Sequence, residues 1–217
     1  MVKMVKQKRA AQTRRALLVA AGEEFATEAF ETVSLARIAK RAGVSYGGLH
    51  YHFGTKQDLA TAVVAEAAAV LRDEVCAPGG LTGPGRLDAR PPALGRLVEA
   101  THRLFARLDQ DPLIQAGFAL TRDAGRPLGE DLREQWRRWV EEVLAEAEQA
   151  RELDEGVAGA DVAIAAVAAA AGFAALAVRD RSWLKPDVTA RFWGLILPRI
   201  ASPEAAAAAE LTAAAAR

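Results

Sequence analysis

Residues 162–178 (VAIAAVAAAAGFAALAV) carry no polar side chain. A run like this has to be hidden from water, and its composition says how. Alanine dominates it, and alanine is the strongest helix former. A membrane-spanning helix needs roughly 20 strongly apolar residues. This run is shorter, only weakly apolar, and bracketed by Asp161 and Arg179-Asp180-Arg181. It reads as a helix covered on all sides, in a bundle or at a subunit interface.

The rest of the chain points the same way, to an all-α fold. Sustained alternation is absent and β-branched runs are few, whereas apolar residues recur at helical spacing. A first helix is expected over 12–29, with Leu17, Leu18, Ala21 and Phe25 on one face. A second starts at Ser34 as N-cap, with Leu35, Ile38, Ala39 and Ala42 at i, i+3, i+4 and i+7. Gly43 ends it, and Ser45 caps a third, short helix through Phe53. A fourth opens near 56–58 and buries Leu59, Val63, Ala67 and Val70. Residues 77–92 (APGGLTGPGRLDARPP) form a loop. Further helices are expected over 93–109, 112–122, 128–151, 158–179 and 186–200. The alanine-rich tail, 203–217, has helix propensity but no apolar stripe, and no role is assigned to it.

The formal net charge of zero conceals an asymmetry. Residues 1–56 hold ten Lys/Arg against four Glu, a balance of +6, and the remaining residues hold 18 basic and 24 acidic, a balance of −6. A basic head on an acidic body points to an anionic partner at the head. Cys76 is the only cysteine, which excludes a disulfide framework and fits a reducing cytoplasm. The start has a basic run, but the apolar stretch at 16–22 meets Glu23 and Glu24 at once, so no secretion signal is expected. Gly80 and Gly85 have phosphate-loop spacing, yet Arg86-Leu87 replace the required Lys and Ser/Thr. His50 and His52 diverge by about 200° on a helix and lack a third ligand. No metal, cofactor or catalytic constellation is expected, and the chain is not read as an enzyme.

Two short helices joined across a glycine make a helix-turn-helix, whose second helix enters the DNA major groove. By period and glycine alone, ordinary helical hairpins share the pattern. Counting about 100° per residue puts Leu49 and Phe53 inward. Gly47, His50 and Tyr51 then fall outward or lateral, with Tyr46 at the exposed N-terminal end and Gly48 on the flank. Tyrosine offers a flat ring for thymine methyls and a hydroxyl for phosphate. Glycine lets the backbone approach the duplex. Ser34, Ser45 and His52 complete the candidate interface, Lys56 is a candidate phosphate contact, and the basic residues 3–15 are a candidate flexible arm.

Residues 13–59 resemble the N-terminal domain of TetR-type transcriptional repressors. The resemblance lies in Phe25…Phe30, Val33-Ser34, Ile38-Ala39…Ala42-Gly43-Val44-Ser45, Gly47…Leu49…His52-Phe53, and Lys56…Asp58-Leu59. Where Tyr46, Gly48 and His50 stand, that family commonly has Lys, Ala and Tyr. The resemblance implies a DNA-binding domain over 1–56 and a helical ligand-binding and dimerisation domain over 57–217. Residues 57–74 would connect the two. The partners it implies are a palindromic DNA operator, a second copy paired through the helices at 158–179 and 186–200, and a small hydrophobic signal molecule.

Residues 111–136 resemble the γ-butyrolactone receptor branch of that family, through Pro112…Ala116-Gly117…Leu120, Pro127-Leu128 and Trp136. In that branch this Trp lines the signal pocket, and the role is carried to Trp136, with Phe118, Thr121 and Phe173 added as lining and Thr121 as the polar contact. The expected function is a repressor released by such a signal. Release by an antibiotic or other apolar ligand, or a DNA-binding dimer with no ligand, are the alternatives.

Overall fold

The computed structural model describes residues 2–77, 91–122 and 128–206, with side chains from Gln7 onward. Most of the expected loop (78–90, with Gly80 and Gly85), Pro127 and the tail from 207 lie outside the described residues. The helices are α1 (Val2–Thr27), α2 (Leu35–Arg41), α3 (Tyr46–His52), α4 (Lys56–Val70), α5 (Ala93–Gln110), α6 (Pro112–Leu120), α7 (Leu132–Gln149), α8 (Gly159–Leu176) and α9 (Pro186–Ile200). A π-helical turn, Leu71–Val75, follows α4, and a 3₁₀ turn, Arg181–Leu184, precedes α9. The described residues contain no strand, only a single bridge between Leu153 and Ala201.

The chain forms two compact units, one of residues 1–70 and 111–132, the other of 71–110 and 133–217. The first therefore holds α1 to α4 and also α6. Glycine explains why α6 belongs there. A Cβ on Gly117 would lie 2.5 Å from Ala67 Cβ on α4, and one on Gly22 of α1 would lie 3.2 Å from the backbone of α6 at Leu113. Asp111 caps α6 by accepting from Leu113 N–H at 2.9 Å, with Pro112 in the first turn. Leu17, Phe25, Ile38, Leu49, Leu59 and Leu113 are buried in this unit.

An ionic clamp fixes α2 to α1. Glu24 is only 3% exposed and bridges Arg37 and Arg41, accepting from Arg41 Nε at 2.7 Å. Arg37 also forks onto Glu28 at 2.6 and 3.1 Å, and Arg41 reaches Glu23 at 3.0 Å. The Arg37 guanidinium holds the Glu28 carboxyl below its ordinary value.

In the second unit, Glu152 accepts from the Ala93 and Leu94 amides at 2.8 Å each, satisfying donors at the start of α5. Arg96, buried on α5, pairs with Glu146 of α7. Phe173 of α8 packs against Phe105, Trp183 and Phe192 at centroid distances of 5.5 to 6.0 Å.

Three elements differ from expectation. α1 begins at Val2, so the basic segment at 3–15 is helix and not a flexible arm. α7 begins at Leu132 and not at 128, because Gly129 has φ +134°, a conformation no helix accepts. α8 is not covered on all sides within the chain: Val162, Ala163, Ala166 and Ala170 are buried, but Ile164 is 70% exposed and Leu176 48%. By length and composition alone α8 is long and apolar enough to cross a membrane. The alternative left by the sequence is a subunit interface.

Candidate nucleic-acid interface and sensor residues

The turn between α2 and α3 follows from its residues. Gly43 has φ +66°, the left-handed conformation that favours glycine. Its amide donates to Lys40 O at 3.2 Å and the Val44 amide to Ala39 O at 3.0 Å, which closes the end of α2 as a Schellman motif. Ser34 and Ser45 are the N-caps of α2 and α3, accepting from Arg37 N–H at 3.2 Å and Gly48 N–H at 3.1 Å. Both hydroxyls keep their hydrogen for an outside acceptor. Thr55 and Asp58 then form a reciprocal capping box at 2.9 and 3.0 Å that starts α4.

Leu49 and Phe53 point into the unit and are buried. The opposite face of α3 is open, with Tyr46 53% and Tyr51 81% exposed and His50 exposed beside them. Tyr46 and His50 pack edge to face at 4.6 Å, and Tyr51 and His52 at 5.2 Å. Each pair holds its rings in a defined orientation. A Cβ on Gly47 would meet nothing within 4 Å, so glycine is not demanded there by the fold. Gly48 is different. Its Cβ would sit 2.9 Å from Val44 Cγ1 and 3.2 Å from Ser45 Oγ, so it is small because the cap of α3 folds over it.

Lys56 is not placed as expected. Its Nζ donates to the carbonyls of Phe30 (2.7 Å), Val33 (2.9 Å) and Glu31 (3.2 Å), and lies 4.5 Å from the centroid of the Phe30 ring. An ammonium has three hydrogens, and all three are engaged in tying down the turn after α1. In this arrangement none is left for a phosphate. Spacing alone gave no sign of this, because the carbonyls come from a turn 23 to 26 residues earlier.

The sensor residues fall into both units. Phe118 on α6 and Thr121 at its C-cap belong with α1 to α4, whereas Trp136 on α7 and Phe173 on α8 belong to the second unit. Thr121 Oγ1 donates to Gly117 O at 2.9 Å, so its hydrogen is engaged within α6 and only acceptor capacity remains. Trp136 is 4% exposed, stacks on Trp139 at 5.3 Å, and its Nε1–H has no hydrogen-bond partner among the described residues. Phe173 makes its ring contacts in a separate group, with Phe105, Trp183 and Phe192.

Comparison with known proteins adds to this geometry. Residues 17–63 match the family model of bacterial regulatory proteins of the tetR family. The A-factor receptor protein of Streptomyces griseus is 28% identical over 205 residues, covering 92% of this chain and 68% of that protein. Among solved structures, a γ-butyrolactone receptor (ArpA-like protein) superposes with a TM-score of 0.76 at 25% identity, covering 96% of this chain and 98% of that one. CprB of Streptomyces coelicolor, a TetR family protein solved with its operator, superposes at 0.73 with 24% identity, covering 95% and 98%.

Proposed function

We propose that this chain, a TetR-type regulator, is a dimeric repressor that binds a palindromic operator and is released by a small hydrophobic signal of the γ-butyrolactone type. The observation that carries DNA reading is the outer face of α3, where Tyr46, Gly47, His50 and Tyr51 stand open on a helix anchored by Leu49 and Phe53. Helix N-terminal residues reach base edges, and exposed hydroxyls and amides fix the register on phosphates. Ser34, Ser45, Gly48 and His52 shape or flank that face.

A palindrome needs a two-fold dimer. α8 and α9 leave an apolar face outside their own chain, with Ile164, Leu176 and Leu195 exposed. The small side chains of α8 permit close helix approach, so this face is read as the dimer contact.

The ligand reading rests on Trp136. A buried indole N–H without an acceptor costs about 1–3 kcal/mol. A lactone or ketone oxygen would satisfy it while the ring covers the alkyl chain. The A-factor receptor protein and the γ-butyrolactone receptor structure are the relatives that support this ligand class. Release follows if the signal binds two arrangements of the dimer unequally, for only differential affinity shifts a population. The chain crosses between its units at 70/71, 110/111 and 132/133.

The test is selection from a random duplex pool followed by release. The wild-type protein should enrich a palindrome, and a γ-butyrolactone should dissociate it. Enrichment of no sequence would end the repressor reading.

A further inference from the structure

The head is basic, but its reading helix is not: α3 (YGGLHYH) contains no Lys or Arg. Four of the head's ten cations are already engaged by other groups of the chain. Arg37 and Arg41 are clamped by Glu23, Glu24 and Glu28, Arg15 pairs with Glu66, and Lys56 is held by three carbonyls. Phosphate neutralisation supplies much of a repressor's affinity, so its source lies in the remaining cations, of which Lys40 is exposed on α2 and all the others precede Arg15 on α1.

The first half of α1 has the required chemistry. No Asp or Glu precedes Glu23, while Lys3, Lys6, Lys8, Arg9, Arg14 and Arg15 all do. From Gln7 to Ala16 no side chain is buried, and Leu17 is the first that is. Residues 7–16 thus form a stretch of helix about 15 Å long that buries no side chain, and like charges along it repel. Lys8 and Arg9 are exposed and make no ion pair with any described residue. Arg14 ties this segment to the interface: its guanidinium carbon lies 5.3 Å from the centroid of Phe53, which caps the C-terminal end of α3.

We propose that the N-terminal half of α1 is a second, sequence-independent DNA-binding element, in which Lys8, Arg9 and Arg14 contact the sugar-phosphate backbone flanking the operator. The inference rests on the repressor reading and adds to it a division of labour. α3 reads bases with tyrosine and histidine rings and no Lys or Arg, and α1 provides the salt-dependent affinity. A polyanion is the occupant because residues 7–16 carry four cations and no acidic side chain, and their only apolar side chains are alanines.

The experiment measures operator affinity against KCl concentration for the wild-type dimer and for Lys8→Gln/Arg9→Gln, which touches no core residue. The DNA is the palindrome selected by the wild type, made as a bare duplex and with added flanks. At about 0.9 per phosphate, the slope of log K on log salt should fall by about 2, and affinity at low salt by about tenfold. The wild type should gain from the flanks and the variant should not. Arg14→Gln should lower the slope by about one more, and the charge-preserving Lys8→Arg/Arg9→Lys should restore it. An unchanged slope with a retained flank effect overturns the proposal while leaving the repressor reading intact. So does loss of binding to phosphatidylglycerol vesicles with an unchanged DNA slope, which would assign the segment to a membrane surface. A wild-type chain that enriches no sequence overturns both readings.

Discussion

Lys56 and Gly47 illustrate how much a residue's role depends on what surrounds it. The sequence places Lys56 at the start of a helix beside a DNA-reading turn, where a phosphate is its natural partner. The structure gives its charge three carbonyls instead, a contact that depends on tertiary approach and leaves no trace in spacing. Lys56→Met should therefore lower the head's stability by about 2 kcal/mol, the order expected for a charged group's hydrogen bonds, and leave the salt slope of operator binding unchanged. Thermal unfolding and salt titration separate the two effects. Gly47 is the reverse case, since its outward position follows from counting residues from Leu49. Because nothing lies within 4 Å of its missing Cβ, Gly47→Ala should stabilise the fold by about 0.5–1 kcal/mol yet weaken operator binding by holding the backbone off the duplex. If both stability and affinity rise, close approach is not its purpose. Tyr46→Ala should reduce specific affinity with the dimer intact, and unchanged affinity in gel shift would remove Tyr46 from the readout.

At the scale of elements, the helix–turn–helix was legible because its signals are local: Ser34, Gly43 and Ser45 mark the ends, and the apolar period marks the buried faces. The grouping of α6 with α1 and α4 was not. It depends on Gly22 and Gly117 meeting distant residues, and in sequence a glycine inside a helix reads only as a weak point. Gly117→Ala should cost about 1–3 kcal/mol by overpacking against Ala67, measured by thermal unfolding. No loss would mean that α6 shifts freely. The clamp between α1 and α2 carries a pH signature. Arg37 lowers the Glu28 carboxyl below its ordinary value of 4.5, so the ionised form is favoured in the folded state. Its contribution is present above about pH 4.5 and is lost as pH falls through the lowered folded value. Glu28→Gln should be less stable than wild type at neutral pH and equal to it in strong acid. A difference that persists in acid would show that the ion pair is not the cause.

For the whole molecule, the apolar run at 162–178 identified a helix that needs cover, but periodicity cannot say whether the cover comes from the same chain. The structure leaves Ile164 and Leu195 exposed, and an apolar face of this kind is the expected contact with a second copy. The sequence also could not show that the residues assigned to the signal pocket are divided between two units. That division depends on which helices α6 packs against. The central claim is that signal binding and operator binding oppose each other, which linkage requires to hold in both directions. The most direct measurement is fluorescence anisotropy of a labelled operator bound to the wild-type dimer, titrated with γ-butyrolactones while tryptophan emission is followed. The account predicts that the lactone that quenches tryptophan returns the anisotropy to that of free DNA, and that Trp136→Ala binds the operator but is not released. Quenching with the operator still fully bound would contradict it.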